Sequence, residues 1–278
     1  MPGMPLRAVK ARLAVLVVLG AALCAAPATA SALVFPESPL LGYWPMYEGS
    51  GQVIHDISGA NNTGVLGMTT KPDWRDAEWV TGLLGVGKAL RLDGNDYVAI
   101  PETAKLRPQR VTAEAWVRAP KSPGRWKYVI TKGGNGCKAG SFGLYSSANG
   151  GMAFYVYDGQ RWYRSPQVTT AIWDNQWHHV AGTYDGERVR LFVDGAQIGA
   201  GTAYSGPIAY DLPVRQAYIG AYRGSCDLTM TGDIDEVRLW SVALRVDQIW
   251  GRIRQFLGQQ PAAPQLPEEA GVWASAGQ

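Results

Sequence analysis

The chain has 278 residues, of which 46% are hydrophobic and 18% charged, a composition that excludes a wholly disordered protein. The formal net charge is +3, but Arg7, Lys10 and Arg12 have no carboxylate beside them in the first thirty residues, so residues 31–278 carry no net charge. A neutral chain without a basic run has no long-range attraction for nucleic acid or an anionic membrane.

The first thirty residues have the pattern of a secretory signal peptide. Their basic residues precede an apolar run over residues 13–26, which is too short to span a bilayer. Ala28-Thr29-Ala30 then forms a small-residue cleavage site. We therefore expect a secreted, extracellular protein that begins at Ser31.

The cysteines predict one disulfide bond. Cys24 belongs to the predicted signal peptide, which leaves Cys137 and Cys226 in the exported chain. Export places these two residues in an oxidising compartment, and both lie in Gly-rich segments rather than in apolar runs. A bond between them is the natural interpretation, and two free buried thiols are the alternative.

Between residues 41 and 240 the chain consists of short alternating runs separated by Gly, Asn, Asp and Pro. Representative predicted strands are Ala89–Leu92, Tyr97–Ile100, Val111–Val117, Tyr128–Thr131, Phe142–Tyr145, Met152–Tyr157, His179–Thr183, Val189–Val193 and Ala217–Ile219. Asp194-Gly195 separates two such runs and supplies the positive φ angles of a tight hairpin. This spacing predicts an all-β, two-sheet antiparallel β-sandwich.

The pattern changes after Trp240, where apolar residues recur with a helical period. These residues are Leu244, Ile249, Ile253 and Leu257. They predict a short amphipathic C-terminal helix that caps the sandwich. From residue 259 the chain is rich in Gln, Pro, Ala and Glu, which predicts a disordered tail. We thus expect one domain over 31–258, between a signal peptide over 1–30 and a tail over 259–278.

Seven segments between residues 41 and 250 each combine a strand with a turn, in a fixed order. They are 92–98 (LDGNDYV), 113–117 (AEAWV), 177–181 (WHHVA), 183–186 (TYDG), 191–195 (LFVDG), 218–220 (YIG) and 232–240 (GDIDEVRLW). Together they resemble the laminin-G-like, or concanavalin A-like, jelly-roll family. The resemblance implies two antiparallel sheets packed face to face. Since this fold hosts lectins, carbohydrate-binding modules, adhesion domains, glycoside hydrolases and polysaccharide lyases, it leaves the function open.

The resemblance also implies a structural calcium ion, which similar domains bind between the first strand region and the last strand. The matching positions are Glu48, Asp56, Asn62 and Asp235. Side-chain oxygens of this kind are the ligands that Ca²⁺ prefers. The alternative is that Asp56 and Asn62 only cap a turn through bonds to the backbone.

The predicted strand over 152–157 also predicts a sugar-binding surface. Because alternate residues of a strand face opposite sides, Phe154 and Val156 would face the core while Tyr155 and Tyr157 would lie on the outer face. Flat amphipathic rings can stack on sugars and bond their hydroxyl groups. The predicted ligand-binding residues are Tyr155, Tyr157, Trp162, Arg161, Arg164 and Asn149, with the two cysteine loops as a rim. The alternative is that a loop covers the aromatic rings.

Catalysis has one suggestive string, Asp233-Ile234-Asp235-Glu236. Retaining glycosidases need two carboxyl groups roughly 5–5.5 Å apart, which alternate residues of a strand can supply. The same string, however, matches the closing strand of the family that the chain resembles, and the Glu-x-Asp-x-x-Glu motif of glycosidases with this fold is missing. A lyase would need a histidine in a cleft, and at most one of the adjacent His178 and His179 could reach it.

The sequence therefore predicts a secreted, non-catalytic recognition module that binds a glycan, with calcium bracing its loops. Two alternatives come from other functional classes. One is a glycoside hydrolase or polysaccharide lyase of the same fold, and the other is an adhesion domain that binds a cell-surface or matrix protein.

Overall fold

The computed structural model describes residues 38–258. The predicted signal peptide over 1–30 and the predicted tail over 259–278 lie outside these residues. Two antiparallel sheets, one of nine strands and one of eight, pack face to face, with an α-helix near the carboxyl end of the described region. The predicted all-β jelly-roll sandwich is confirmed. Within residues 38–258, no helix is long and apolar enough to span a membrane.

Sheet 1 is the nine-stranded sheet. Its strands are β1 (Leu40–Trp44), β4 (Glu78–Thr81), β5 (Lys88–Asp93), β7 (Val111–Arg118), β12 (His178–Tyr184), β13 (Arg188–Val193), β14 (Ala196–Gln197), β15 (Thr202–Ala203) and β17 (Thr231–Trp240). Their order is β14-β13-β12-β7-β17-β5-β4, and β1 and β15 add to β17 and β13. The ten-residue strand β17 therefore joins both halves of the sheet.

Sheet 2 is the eight-stranded sheet and positions the candidate site. Its strands are β2 (Val53–Ile54), β3 (Gly64–Leu66), β6 (Val98–Ile100), β8 (Tyr128–Gly134), β9 (Phe142–Tyr145), β10 (Ala153–Tyr157), β11 (Trp162–Arg164) and β16 (Val214–Ile219). Their order is β11-β10-β9-β8-β16-β6-β3-β2. Strands β8 to β11 are thus neighbours both in the chain and in space.

Each of the nine representative strands predicted from the sequence corresponds to an observed strand, with ends that differ by at most three residues. The hairpin between β13 and β14 also forms as its sequence requires. Asp194 has φ of 48° and Gly195 has φ of 80°, the two positive values of a tight hairpin turn.

The main core lies between the sheets, where strand alternation brings apolar side chains together. Phe154 and Val156 of β10 face Val180 of β12 and other apolar residues in this layer. Gly182 of β12 gives the ring of Phe154 its space, because a Cβ atom built on Gly182 would lie 2.1 Å from that ring. The close approach of the two sheets here depends on a residue without a side chain.

We predict that Gly182→Ala destabilises the protein by about 1–3 kcal/mol, because the added methyl group overpacks the core. The control is Gly251→Ala in the helix, where a Cβ atom meets nothing within 4 Å and alanine has the higher helix propensity. Urea unfolding of both variants checks the prediction. Equal stability of Gly182→Ala and the wild type would contradict this view of the core.

Among residues 38–258 there is one α-helix, α1, which spans Val246–Leu257. Its buried face carries Ile249 and Ile253, which pack with Trp116 and Phe192 on the outer face of sheet 1. The predicted capping helix is confirmed. Of the four predicted apolar residues, Leu244 precedes the helix and Leu257 is half exposed. The helix therefore closes one outer face of the sandwich.

Candidate functional site

The outer face of sheet 2 holds a pocket of about 340 Å³. Its floor is formed by Tyr128 of β8, Tyr145 of β9 and Tyr155 of β10. Gly143 is the residue of β9 directly opposite Tyr155, and a Cβ atom there would lie 2.8 Å from the Tyr155 ring and 2.9 Å from the Tyr128 ring. The absence of a side chain at Gly143 thus lets the tyrosine rings lie close against the sheet.

The predicted strand parity of β10 is correct, but the predicted exposure of its tyrosines is wrong. Phe154 and Val156 face the core, whereas Tyr155 and Tyr157 belong to a separate cluster on the outer face. Tyr155 is only 2% exposed and Tyr157 only 5%. The segment before β9 contacts one of them, since the Gly140 N–H donates to the Tyr155 hydroxyl oxygen at 2.9 Å. Tyr155 belongs to the floor of the pocket, Tyr157 does not line it, and the two rings do not form an open platform.

One wall of the pocket combines two tryptophans and an arginine. Trp126, just before β8, stacks on Tyr145 with 5.8 Å between ring centroids. Trp162 of β11 is 38% exposed and presents the most accessible ring of the pocket. The Arg164 guanidinium carbon lies 4.8 Å from the centroid of Trp162 and 5.5 Å from that of Trp126. This wall therefore offers an exposed aromatic surface and a positive charge together.

The other wall contains the predicted disulfide bond, which is confirmed. Cys137 lies in the β8–β9 loop and Cys226 in the β16–β17 connection, and their Cα atoms are 5.1 Å apart. Tyr222 supports the same junction, because its hydroxyl donates to Gly136 O at 2.8 Å. Lys138, Ala139 and Leu228 complete this wall. The two cysteine loops thus form one rim, as the sequence predicted.

Three predicted ligand residues do not line the pocket. Tyr157 is buried and donates its hydroxyl proton to Gly159 O at 2.7 Å. Asn149 holds its own turn, since its Oδ1 accepts the Gly151 N–H at 2.8 Å. Arg161 is exposed and lies outside the lining. Tyr155, Trp162 and Arg164 therefore remain as the predicted residues that this geometry brings together.

Sequence reasoning missed six lining residues, which are Trp126, Tyr128, Lys138, Ala139, Tyr145 and Leu228. Strand alternation could have indicated Tyr145. Leu144 beside it is a typical core residue, so Tyr145 lies on the opposite, outer face of the strand. No local pattern indicates Lys138, because its place follows from the pairing of two distant cysteines.

The tyrosines of the floor stay uncharged over the physiological range. Burial raises the pKa of Tyr145 to about 12, and burial also raises the pKa values of Tyr128 and Tyr155 well above that of a free phenol. Their hydroxyl groups therefore act as neutral hydrogen-bonding groups.

Two of the four predicted calcium ligands take part in a turn. Asp56 Oδ1 accepts the Tyr43 N–H at 2.9 Å and the Ser58 N–H at 2.8 Å, and its Oδ2 accepts the Asn62 N–H at 2.8 Å. The Asn62 amide donates to Leu41 O at 2.7 Å. These bonds are those of the turn-capping alternative.

The other two predicted ligands also have partners of their own. Glu48 Oε1 accepts the His55 N–H at 2.7 Å, and Asp235 Oδ2 accepts the Leu83 N–H at 2.9 Å. In the part of the chain that the structure describes, no group of three or more His, Cys, Asp or Glu side chains could hold a metal ion. The four residues do not fit one calcium ion as a set, and the calcium prediction itself stays untested.

The carboxylates of the Asp233–Glu236 string are all engaged within the protein. Asp233 accepts from Arg91 Nε at 2.9 Å and from Arg118 Nε at 3.0 Å. Glu236 Oε2 accepts from the Tyr43 hydroxyl at 2.6 Å and from Arg238 Nη2 at 2.7 Å. All belong to β17 in sheet 1, and none lines the aromatic pocket on sheet 2.

The two histidines are separated as strand alternation predicts. The ring of His178 lies between Asp194 and Asp174, 2.7 and 3.1 Å from their carboxylate oxygens. His179 is 1% exposed on the side covered by the helix, with its ring 5.4 Å from that of Trp116. Neither lines the aromatic pocket.

A family model described as the concanavalin A-like lectin/glucanases superfamily, Laminin_G_3, matches residues 92–250, more than half of the chain. That segment includes β7 to β17 and therefore every residue that lines the aromatic pocket. In a comparison of whole sequences, no curated protein matches the chain.

Solved structures with a similar fold include three proteins connected with carbohydrates. Domain 4 of AbnA, an extracellular arabinanase from Geobacillus stearothermophilus solved with arabinotriose, has a TM-score of 0.55 and 17% identity over 78% of this chain and 98% of that one. Botulinum neurotoxin type C, described as dependent on two ganglioside molecules for cell entry, has a TM-score of 0.57 and 10% identity, covering 78% and 51%. Trypanosoma rangeli sialidase has a TM-score of 0.53 and 17% identity, over 77% of this chain and 32% of that one. At these identities the likeness concerns the fold alone.

Proposed function

Because the chain belongs to the concanavalin A-like lectin/glucanases superfamily, we propose that it is a secreted carbohydrate-binding module whose sugar occupies the aromatic pocket on sheet 2. The pocket itself carries the proposal. It combines a tyrosine floor, two tryptophan side chains and two cations in a cavity of about 340 Å³. Ligand sites of folded proteins are concave, mostly apolar, and hold a few polar groups that fix orientation.

Trp162 is the residue best placed to stack on a sugar. Its ring is the most exposed of the aromatic rings that line the pocket. The apolar face of a pyranose can pack on such a ring while its hydroxyl groups reach polar neighbours. Neutral tyrosine hydroxyls and the Arg164 guanidinium would supply those hydrogen bonds.

Three further observations support the proposal. The arabinanase domain, which the chain spans almost completely, was solved with an oligosaccharide. The disulfide bond and the predicted signal peptide are typical of an exported protein. The carboxylates of β17 are engaged by partners in sheet 1, which favours binding over hydrolysis.

We expect Trp162→Ala to weaken binding of the preferred glycan at least about tenfold, because tryptophan side chains in a binding site commonly contribute much of its binding energy. A glycan array with the mature domain would first identify that glycan, and calorimetry would then compare the variants. Trp74→Ala is the matched control, since Trp74 is 65% exposed and does not line the pocket. A folded protein that binds no glycan, or equal affinity of both variants, would contradict the proposal.

A further inference from the structure

The pocket holds two cations that lack a carboxylate partner. Arg164 and Lys138 both line it and both are exposed. Among the described residues, neither lies within ion-pair distance of an aspartate or glutamate. Elsewhere in the domain, arginines such as Arg190 and Arg223 do pair with a nearby aspartate. Other exposed cations of the described residues, such as Arg110, are unpaired as well, so the distinguishing feature of Arg164 and Lys138 is that both line the same pocket.

No negative charge inside the pocket balances these cations. The lining residues are aromatic, aliphatic, disulfide-bonded or cationic, and none is an aspartate or glutamate. Charges in a partly enclosed site are screened less than charges in open water. Each wall of the pocket thus carries one cationic side chain and no anionic one.

Arg164 is held in place by stacking rather than by an ion pair. Its guanidinium lies over Trp162 and within 5.5 Å of the Trp126 centroid. A guanidinium that stacks on aromatic rings keeps its N–H groups free at its edge. Because the rings restrict its movement, little side-chain entropy is lost when a ligand binds. The opposite cation, Lys138, follows Cys137 in the loop that the disulfide fixes.

We propose that the bound sugar is an acidic one whose carboxylate lies between Arg164 and Lys138 while its ring packs on Trp162. This inference rests on the proposed carbohydrate-binding function. The planar fork of a guanidinium matches the two oxygens of a carboxylate. Hexuronic acids and nine-carbon ulosonic acids both carry this group, and binding experiments can tell the two sources apart.

The test compares each acidic polymer with its own neutral form. Polygalacturonate and polysialic acid would each be measured against a carboxyl-reduced preparation, by biolayer interferometry at constant ionic strength. We expect at least one acidic polymer to bind ten times or more as tightly as its reduced form. The polymer that binds identifies the hexuronic or the ulosonic source of the carboxylate.

Variants then assign the effect to the pocket. Arg164→Gln is expected to bring the affinity for the acidic polymer down to that for its reduced form. Arg164→Lys should have an affinity between those of the wild type and Arg164→Gln, because lysine keeps the charge but lacks the planar guanidinium fork. Arg110→Gln is the control, because this substitution removes the same charge at a residue outside the pocket. Arg110 is exposed and lies just before β7 of sheet 1. A thermal melt would verify that each variant is folded.

The outcomes separate this inference from the function on which it rests. Equal affinity for acidic and reduced polymers, with loss of both in Trp162→Ala, would overturn the acidic-sugar inference and keep the carbohydrate-binding function. Equal binding of a sulfated neutral polymer would overturn the assignment to a carboxylate. Failure of a folded sample to bind any carbohydrate would overturn both.

Discussion

Glu114→Ala is expected to lower the free energy of unfolding by about 3–5 kcal/mol, because it removes one partner from a buried polar cluster. Glu114 is fully buried on the outer face of sheet 1. Its Oε1 accepts a hydrogen bond from Trp240 Nε1 at 2.9 Å, and its Oε2 lies 3.3 Å from His179 Nε2. Alanine would leave the tryptophan donor and the histidine without this carboxylate and open a cavity beneath the helix. Urea unfolding at neutral pH measures the effect.

Two controls separate this cluster from a general effect of losing a carboxylate. Glu114→Gln keeps the volume and an acceptor for Trp240, so it should cost clearly less than alanine. Glu187→Ala removes an exposed carboxylate from a turn and should change stability by no more than about 0.5 kcal/mol. If Glu114→Ala were as stable as Glu187→Ala, the cluster would not stabilise the fold.

The same residue makes part of the stability depend on pH. Burial acts to raise the pKa of Glu114, but His179, Arg238 and Trp240 outweigh it and lower the pKa below the ordinary value of 4.5. A carboxyl group whose pKa is lower in the folded state stabilises the fold above its unfolded pKa, and this contribution is lost as the pH falls through the folded pKa. The difference in the free energy of unfolding between the wild type and Glu114→Gln should therefore shrink below about pH 4.5. A difference that stays constant with pH would contradict this prediction.

The strands of this domain could be predicted because local pattern and environment agree. Period-two alternation in residues 152–157 places Phe154 in the core and Tyr155 on the outer face, as observed. The hairpin at Asp194-Gly195 follows equally from its turn chemistry. Both features depend on residues that are neighbours in the chain.

The candidate site was only partly predictable because it depends on distant segments. Alternation shows which side of a sheet Tyr157 faces, but it does not show that the ring is buried on that side. Trp126 and Lys138 reach the pocket from loops whose positions are set by tertiary packing and by the pairing of Cys137 with Cys226. The outcome for Tyr157 therefore differs from the prediction through tertiary burial, not through an error of strand parity.

Removal of the disulfide bond in Cys137→Ser/Cys226→Ser is expected to lower the free energy of unfolding by about 2–4 kcal/mol. The two cysteines are 89 residues apart in the sequence, so the bond removes many conformations from the unfolded chain. Comparison of urea unfolding curves would give the difference. Reduction of the wild type should reproduce the loss, whereas the double variant should not respond to the reductant.

The double variant should also bind its glycan less tightly, by about tenfold, because ligand binding would then have to order the two loops of the rim. The loss should be partial, because other contacts still join the loops. The Ser225 N–H donates to Gly136 O at 2.9 Å, and the Tyr222 hydroxyl donates to the same oxygen at 2.8 Å. Affinity should be measured at a temperature at which both proteins are folded, so that the change reflects the rim and not unfolding. Unchanged affinity in the less stable variant would mean that the disulfide stabilises the fold without shaping the pocket.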